Sequence, residues 1–418
     1  MRWLLIFWVF VMGAISYLDR VNISIAVNSI QKDFGINDIQ MGYVFTAFVL
    51  AYALFQAPGG RLADRYGPRI VIAIGVVWWS VFTVATAWVP VGLSISLLLL
   101  ILTRFVLGIG EAVVFPASNQ LVSKWIPTNE RGIANGIIFA GVGAGAGITP
   151  ILITWIIGNW GWRWSFYISA LIGLAAGIVW YILARDTPQS HPWVKKKELS
   201  FIEAGLTVKA SAEKSASAPW GRILRNRSIW LITLSYFAYG YTAWIFFTWF
   251  FKYVNVVRGL NLRDSAIYGS LPFLAMAFCS PLGGGISDFL TRRVGKWVGR
   301  CGVGVVGMGG AAICIAVGAQ AESAQVASVA LACGVGMQYL SQSTYWAVTA
   351  DIAGRSAGTV SGFMNMGGQF GGALTSFLTP WIAASFGWTA SFLTPAALCA
   401  LGAICWAMVD PNSRIESD

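Results

Sequence analysis

The sequence predicts an all-α membrane protein with twelve transmembrane helices in two pseudo-symmetric six-helix bundles. The first observation is hydropathy: of the 418 residues, 57% are hydrophobic and 11% are charged, and the mean hydropathy is +0.68. Soluble domains carry about 25% charged residues. The second observation is the number of apolar stretches that are long enough to cross a bilayer, and the third is an internal repeat.

Twelve apolar windows account for the predicted helices. A helix needs about 20 apolar residues to cross the hydrocarbon core of a bilayer. Such windows begin near residues 3, 39, 69, 94, 131, 163, 228, 265, 298, 324, 356 and 386. The first window is too long for a signal peptide and lacks a small-residue cleavage site, so we expect it to stay as the first helix.

A repeat indicates that the twelve helices form two related halves. Gly161-Trp162-x-x-Ser165-Phe166 recurs 226 residues later as Gly387-Trp388-x-x-Ser391-Phe392. Parallel repeats of this kind occur in one class of secondary transporter.

Composition divides the chain between the two halves. The polar segment after the sixth window is rich in Lys, Ser and Ala, and it cannot bury a core. We predict an N-terminal bundle over 1–184, a cytoplasmic linker over 185–227, a C-terminal bundle over 228–410 and a cytoplasmic tail over 411–418.

The basic residues predict how the chain lies in the membrane. The net charge is +11, and most of the 28 lysines and arginines fall in segments that are cytoplasmic if both termini are cytoplasmic. This distribution follows the positive-inside rule and argues against a nucleic-acid partner. Short loops favour a bacterial inner-membrane protein. We expect a monomer whose partners are the lipid bilayer and small solutes.

Four charged residues lie inside predicted membrane helices: Asp19, Arg20, Arg104 and Glu111. Each costs roughly 2.5 to 3.5 kcal/mol on insertion scales, which suggests that the protein uses them. One interpretation is two structural ion pairs. The other assigns Arg20 and Arg104 to a carboxylate of the substrate, which a guanidinium binds with two parallel hydrogen bonds, and Asp19 and Glu111 to protons.

A loop motif between the second and third helices resembles the signature of the major facilitator superfamily. It reads Gly60-Arg-Leu-Ala-Asp64-Arg65-Tyr-Gly67-Pro-Arg69, and a degenerate copy starts at Gly284. A second cytoplasmic loop, Pro127-Thr-Asn-Glu130-Arg131-Gly132, resembles another loop of the superfamily. The residues expected to act at the cytoplasmic gate are Gly60, Asp64, Arg65, Gly67, Arg69, Glu130, Arg131, Asp288 and Arg292.

Further motifs resemble the anion:cation symporter family of this superfamily, which includes bacterial hexuronate, glucarate and galactonate importers. They are Tyr17-Leu-Asp19-Arg20-Val-Asn22 and Arg104-(x6)-Glu111-Ala-x-x-Phe-Pro116. The resemblance implies proton-coupled uptake, in which Asp19 and Glu111 are proton sites and Arg20 anchors the anion. Protons are the coupling ion, and no other cofactor and no metal is expected.

The predicted fifth helix bears on the substrate. Phe139 and Val142 stand where sugar-acid carriers need polar side chains, which favours a flatter or partly apolar acid such as an aromatic carboxylate. The alternative role for each aromatic candidate is packing in the core or a position at the membrane–water interface. The candidate contacts besides the two arginines are Tyr17, Tyr52, Phe139, Val142, Trp244, Gln342, Tyr345 and Asn365.

Together these features predict a secondary active transporter that imports an organic carboxylate, a sugar acid or an aromatic or other monocarboxylate, with protons by alternating access. The alternative of the same fold is an exchanger or facilitator of phosphate, organophosphate or other anions. An enzyme is not expected, because His-rich or Cys-rich clusters and phosphate-binding nucleotide loops are missing from the sequence.

Overall fold

A computed structural model describes residues 1–127, 131–206, 220–353 and 357–413, and every regular element within them is helical. The helices up to the linker are α1 (Arg2–Ile25), α2 (Val27–Phe34), α3 (Asp38–Tyr66), α4 (Pro68–Trp88), α5 (Ser96–Glu111), α6 (Val114–Trp125), α7 (Arg131–Trp160), α8 (Trp162–Leu183) and α9 (Lys196–Leu206). The predicted all-α class is confirmed.

The rest of the described chain continues in the same way. Its helices are α10 (Trp220–Arg225), α11 (Arg227–Thr248), α12 (Phe250–Lys252), α13 (Leu262–Val294), α14 (Val303–Gln320), α15 (Ala324–Leu340), α16 (Gln342–Ala353) and α17 (Ala357–Ala407). Two π-helical turns, Tyr253–Val257 and Trp297–Gly302, extend α12 and precede α14.

The helices in the described ranges provide twelve membrane crossings. In the described residues, ten helical stretches are long and apolar enough to span a bilayer. One of them, Gly362–Ala407, has 46 residues and a length of about 69 Å at 1.5 Å per residue, twice what a bilayer core requires. It divides at Gly387, whose φ of 85° is not helical. The consecutive helices α15 and α16 supply the remaining crossing, so the prediction of twelve is confirmed.

Two of the crossings are interrupted helices. The fourth consists of α5 and α6, which are separated by a turn at Ala112 and Val113. Pro116 follows in α6, and because proline has no N–H it cannot bond to the carbonyl of Ala112. The tenth consists of α15 and α16, which are separated at Ser341. The first interruption directly follows Glu111.

The two halves repeat the same local geometry. Gly161 between α7 and α8 has φ 86°, and Gly387, which occupies the corresponding position in α17, has φ 85°. Close helix packing repeats as well: a Cβ at Gly145 would overlap the carbonyl of Ala14, and a Cβ at Gly371 would overlap the carbonyl of Phe237. Glycine therefore lets α1 approach α7, and it lets α11 approach α17 in the same way.

The chain forms two compact units. The first comprises Met1–Ile36 and Ala47–Lys214, and the second comprises Asn37–Thr46 and Ser215–Asp418. The start of α3 thus belongs to the second unit. The predicted boundaries of the two bundles, the linker and the tail stay a prediction. The core of the first unit includes the fully buried Trp79, Trp125 and Trp180, and that of the second includes Trp249 and Trp406.

Candidate functional site

The first unit brings the four charged membrane residues into one buried set. Asp19 and Arg20 lie on one turn of α1, Arg104 lies in α5, and Glu111 is the last residue of α5. All four are at most 4% exposed. Because α5 ends at the interruption before Pro116, the Glu111 carboxylate lies where the backbone is not in a continuous helix, a common arrangement at transporter sites.

Arg20 forms an ion pair with Glu111. Its Nε donates to Oε2 of Glu111 at 2.6 Å, and both side chains are at most 1% exposed. The same Oε2 also accepts a hydrogen bond from Ser16 Oγ at 3.3 Å. Ser16 lies one helical turn before Arg20, so both donors project from one face of α1. Asp19, which points about 100° away from Arg20 on the helix, takes no part in this pair.

Aromatic rings surround the two guanidinium groups. The Cζ of Arg20 lies 4.2 Å from the ring centroid of Tyr52, 4.5 Å from that of Tyr17 and 5.5 Å from that of Phe48. The Cζ of Arg104 lies 4.8 Å from the ring centroid of Phe48. Cation–π contacts of this kind hold a guanidinium plane in place and leave the N–H groups at its edge available.

Several polar atoms of the set have no hydrogen-bond partner in the described part of the chain. They are Nη1 and Nη2 of Arg20, Nε of Arg104, Oε1 of Glu111 and both carboxyl oxygens of Asp19. A buried donor or acceptor without a partner costs about 1–3 kcal/mol, and more if it is charged. The two Nη atoms of Arg20 form a fork that matches a carboxylate, while the acids offer positions for protons.

An apolar wall borders the same site. The rings of Phe115 in α6 and Phe139 in α7 stack with centroids 5.6 Å apart and an interplanar angle of 3°. Tyr17 contacts Phe115 edge-on at 6.4 Å. Phe139 is 39% exposed, whereas Val142 is buried. Phe139 is therefore accessible in the first unit and Val142 is packed.

Four of the predicted substrate contacts belong to the second unit, and two of them are packed there. Tyr345 is fully buried, its hydroxyl lies 2.7 Å from Ser235 Oγ, and its ring lies 4.7 Å from that of Trp406. Trp244 is 7% exposed and lies against Gly372. Their contact with a substrate stays a prediction.

The amide candidates of the second unit are less enclosed. Gln342 and Asn365 are half-buried. Gln342 Nε2 donates to the Tyr236 hydroxyl at 3.4 Å, while its Oε1 has no partner among the described residues. This oxygen can accept a hydrogen bond from a ligand. Substrate contact by either amide stays a prediction.

The signature loop residues surround the start of α4. Gly67 has φ 86° and precedes the helix, and the backbone N–H of Arg69 donates to Asp186 Oδ1 at 2.9 Å. A Cβ at Gly67 would lie 2.5 Å from Oδ1 of the same carboxylate, so glycine makes this helix cap possible. Arg69 Nε donates to the Tyr181 carbonyl at 3.0 Å. Gly60 lies against Pro116 of α6.

The remaining gate candidates are exposed, paired within the second unit, or outside the described residues. Arg65 and Arg292 are exposed. Asp288 pairs with Arg300 at 2.7 Å within the second unit. Glu130 and the side chains of Asp64 and Arg131 lie outside the described residues. A gating role for these residues stays a prediction.

Sequence reasoning missed Phe115 of the apolar wall and two residues that contact the charged set. Ser16 and Phe48 contact the charged set, but a serine and a phenylalanine in apolar helices carry no signal of their own. The spacing of Ser16, four residues before Arg20, is a signal that could have placed it on the arginine's face. No comparable pattern marks Phe48.

Comparison with known proteins agrees with this geometry. The family model described as Major Facilitator Superfamily matches residues 9–376. The chain belongs to the major facilitator superfamily. The predicted superfamily fold is confirmed, and this membership makes the chain a multi-pass membrane protein.

Relatives within the superfamily carry transporter names. A probable sulfoacetate transporter of Cupriavidus necator is 33% identical over 405 residues, which cover 96% of this chain and 92% of the relative. A D-galactonate transporter of Escherichia coli is 29% identical over 426 residues, which cover 98% of this chain and 95% of the relative.

A solved structure shows the same major facilitator fold. The inward-facing, occupied form of a bacterial homologue of the human lysosomal transporter Spinster has a TM-score of 0.79 at 18% identity. The match covers 99% of this chain and 98% of that chain.

Proposed function

We propose that this major facilitator protein is a proton-coupled symporter that imports an organic carboxylate. The observation that carries the proposal is the pair of buried Nη atoms of Arg20, which have no hydrogen-bond partner in the described part of the chain, beside two buried carboxyl groups, Asp19 and Glu111. A substrate carboxylate would accept both N–H groups of the arginine fork. Alternating access of two six-helix bundles would then carry the anion across the membrane.

Charge balance supports coupling between protons and the anion. With Asp19 and Glu111 ionised, the two acids cancel the charges of Arg20 and Arg104. Each proton that binds raises the net charge of the site by one and favours an anion, and by reciprocity the anion favours the proton. Protonation of Glu111 also weakens its hold on Arg20 and leaves the guanidinium to the substrate.

Chemistry and relatives together suggest the substrate class. Sulfoacetate and galactonate, for which the two relatives are named, are both small carboxylates. Within the first unit, the stacked Phe115 and Phe139 offer an apolar surface to the substrate. We infer a small organic acid, either a sugar acid or an acid with an apolar or aromatic part.

The proposed orientation follows from the basic residues. With both termini in the cytoplasm of a bacterial cell, the positive segments face inward and the import direction follows the proton gradient. A potential of 100 mV supplies about 2.3 kcal/mol per net charge, which drives accumulation when more protons than substrate charges move.

Uptake into proteoliposomes with an imposed pH gradient tests the function. The probes are sulfoacetate, D-galactonate and benzoate, with phosphate as the probe for the alternative anion exchanger. We expect one of the carboxylates to accumulate when the outside is acidic and to leak out when a protonophore collapses the gradient. Exchange of phosphate without any gradient-driven accumulation would instead support the exchanger.

A further inference from the structure

Three polar side chains of α4 are buried in the first unit without a hydrogen-bond partner among the described residues. The atoms are Trp79 Nε1, Ser80 Oγ and Thr83 Oγ1, and the residues are at most 1% exposed. Leaving such a group unsatisfied costs about 1–3 kcal/mol. Their clustering on two turns of one helix points to a polar ligand that they share.

Contacts between α1 and α8 establish that these helices run antiparallel. Near the start of α1, Trp8 Nε1 donates to the carbonyl of Ala176 at 3.1 Å. Near its end, Asn22 donates to Ser169 Oγ at 3.3 Å. As α1 proceeds, its partners on α8 therefore come from earlier in the sequence.

Contacts between α4 and α8 show that these two helices are also antiparallel. Trp180 Nε1 donates to the carbonyl of Arg69 at 3.0 Å at the start of α4. Further along, a Cβ at Gly173 would lie 2.9 Å from Ser80 Oγ and 3.8 Å from Ile15 Cγ2. Both α1 and α4 are antiparallel to α8, and Ser80 and Ile15 meet at the same point of α8.

One turn beyond this point, Asp19 and Thr83 reach the same level. Asp19 follows Ile15 by four residues and Thr83 follows Ser80 by three, and both spacings keep the same helix face. On α8, Ser169 lies one turn before Gly173 and accepts a hydrogen bond from Asn22, which follows Asp19 by three residues. The carboxyl oxygens of Asp19 and the hydroxyls of α4, which have no partner among the residues that the structure describes, therefore share the junction of α1, α4 and α8.

We propose that this junction binds ordered water that hydrogen bonds to Asp19 and delivers its proton. Buried water needs two to four polar partners, and the junction offers five unsatisfied atoms: two of Asp19 and one each of Trp79, Ser80 and Thr83. Thr83 and Ser80 are then positioning residues for this water. The inference rests on the proposed proton coupling and adds a route for the proton.

The surrounding charges favour water over a metal cation. The charged groups that act on Asp19 are Glu111, Arg104 and Arg20, and the two arginines repel a cation. Trp79 Nε1 is only a donor and cannot ligate a metal. In the transfer step an O–H bond of the junction water breaks as an O–H bond to Asp19 forms. The water regains a proton through hydrogen-bonded water from the acidic side, so that no cation rests at the junction.

Thr83→Val tests the route, because valine keeps the shape of threonine and removes the hydroxyl. The matched control is Thr86→Val: Thr86 is also buried in α4, but its hydroxyl donates to the Phe82 carbonyl at 2.8 Å. We expect Thr83→Val to slow pH-driven uptake about fivefold, the effect of one lost hydrogen bond. Counterflow exchange, which needs no net proton transfer, stays unchanged, and Thr86→Val alters neither rate.

Thermal unfolding separates the water site from the transport function. At a hydrated junction Thr83→Val lowers the melting temperature by about 3 °C relative to Thr86→Val, because water loses a partner. At a dry junction the substitution removes an unsatisfied hydroxyl and raises the melting temperature, which would overturn the inference. If Thr83→Val is destabilising but the wild type shows no pH-driven uptake, the water site stands, and both proton delivery and the proposed symport are refuted.

Discussion

Arg20 is paired with Glu111 on another helix and not with Asp19, its neighbour in the chain. The 2.6 Å bond from Nε to Oε2 uses one edge of the guanidinium and leaves the two Nη atoms without a partner among the described residues. This division would let one arginine be held by the protein and still bind the proposed anion. It also separates the two acids, because Glu111 controls the arginine and Asp19 does not.

Replacing Arg20 with lysine should abolish tight substrate binding. Lysine keeps the charge but lacks the planar fork that can hold Glu111 and a carboxylate together. We expect the substrate Kd to rise about 100-fold, the equivalent of roughly 3 kcal/mol, in a titration followed by calorimetry. The control is Arg163→Lys in the exposed pair with Asp33, which should leave the Kd unchanged.

Replacing the acids should separate binding from coupling. Asp19→Asn and Glu111→Gln remove the ionisable groups but keep similar shapes, so we expect counterflow exchange to continue while pH-driven accumulation falls to the level without a gradient. The comparison requires both assays on the same proteoliposomes. Full accumulation by the double variant would refute the assignment of the proton sites.

The ion pair between Asp38 and Lys252 should contribute to the stability of the second unit. Lys252 is 9% exposed, and its Nζ contacts Asp38 Oδ1. Asp38→Asn leaves a buried ammonium without this carboxylate, and we expect a loss of about 2 kcal/mol in the free energy of unfolding. In a double-mutant cycle, Lys252→Met should lower the further cost of Asp38→Asn. Strictly additive effects would show that the two side chains are not coupled.

The contribution of Asp33 to the stability of the first unit should be lost in acid. Hydrogen bonds from Trp162 and then from Arg163 lower the pKa of the Asp33 carboxyl group. A lowered pKa means that the bonds stabilise the fold above the unfolded pKa of about 4 and that this contribution is lost as the pH falls through the folded value. Because the pair is more than a third exposed, screening limits the effect to less than about 1 kcal/mol.

The measurement is the melting temperature of Asp33→Asn and of the wild type at pH 7 and at pH 3. We expect a difference of about 2 °C at pH 7 that shrinks at pH 3. A difference that grows in acid would contradict the sign.

Two glycines of α7 should respond differently to alanine. A Cβ at Gly145 would overlap the backbone of Ala14, whereas a Cβ at Gly158 would meet no atom within 4 Å. Overpacking costs about 1–3 kcal/mol, so Gly145→Ala should unfold at lower temperature. Gly158→Ala should be neutral or slightly stabilising, since alanine is the better helix former. Equal melting temperatures would show that α1 and α7 can separate without cost.

Much of the fold, and part of the candidate site, could be predicted from the amino-acid sequence. Hydrophobic windows of bilayer length locate the twelve crossings, because each helix must satisfy its own backbone hydrogen bonds in lipid. The recurring Gly-Trp-x-x-Ser-Phe motif predicts the two halves, and Gly161 and Gly387 then adopt the same backbone conformation. The four charged membrane residues could also be found from the sequence, because a charged side chain inside an apolar helix has a high free-energy cost of insertion.

Tertiary structure alone decided which acid holds which arginine. Arg20 and Glu111 are 91 residues apart, and hydropathy and spacing carry no information about how α1 meets α5. Packing also placed Ser80 of α4 beside Gly173 of α8, close to Ile15 of α1. A serine in an apolar helix gives no sign of such neighbours until the helices are assembled. The physical reason is that helices form from local backbone bonds, whereas the partners of a buried polar atom depend on the register between separate helices.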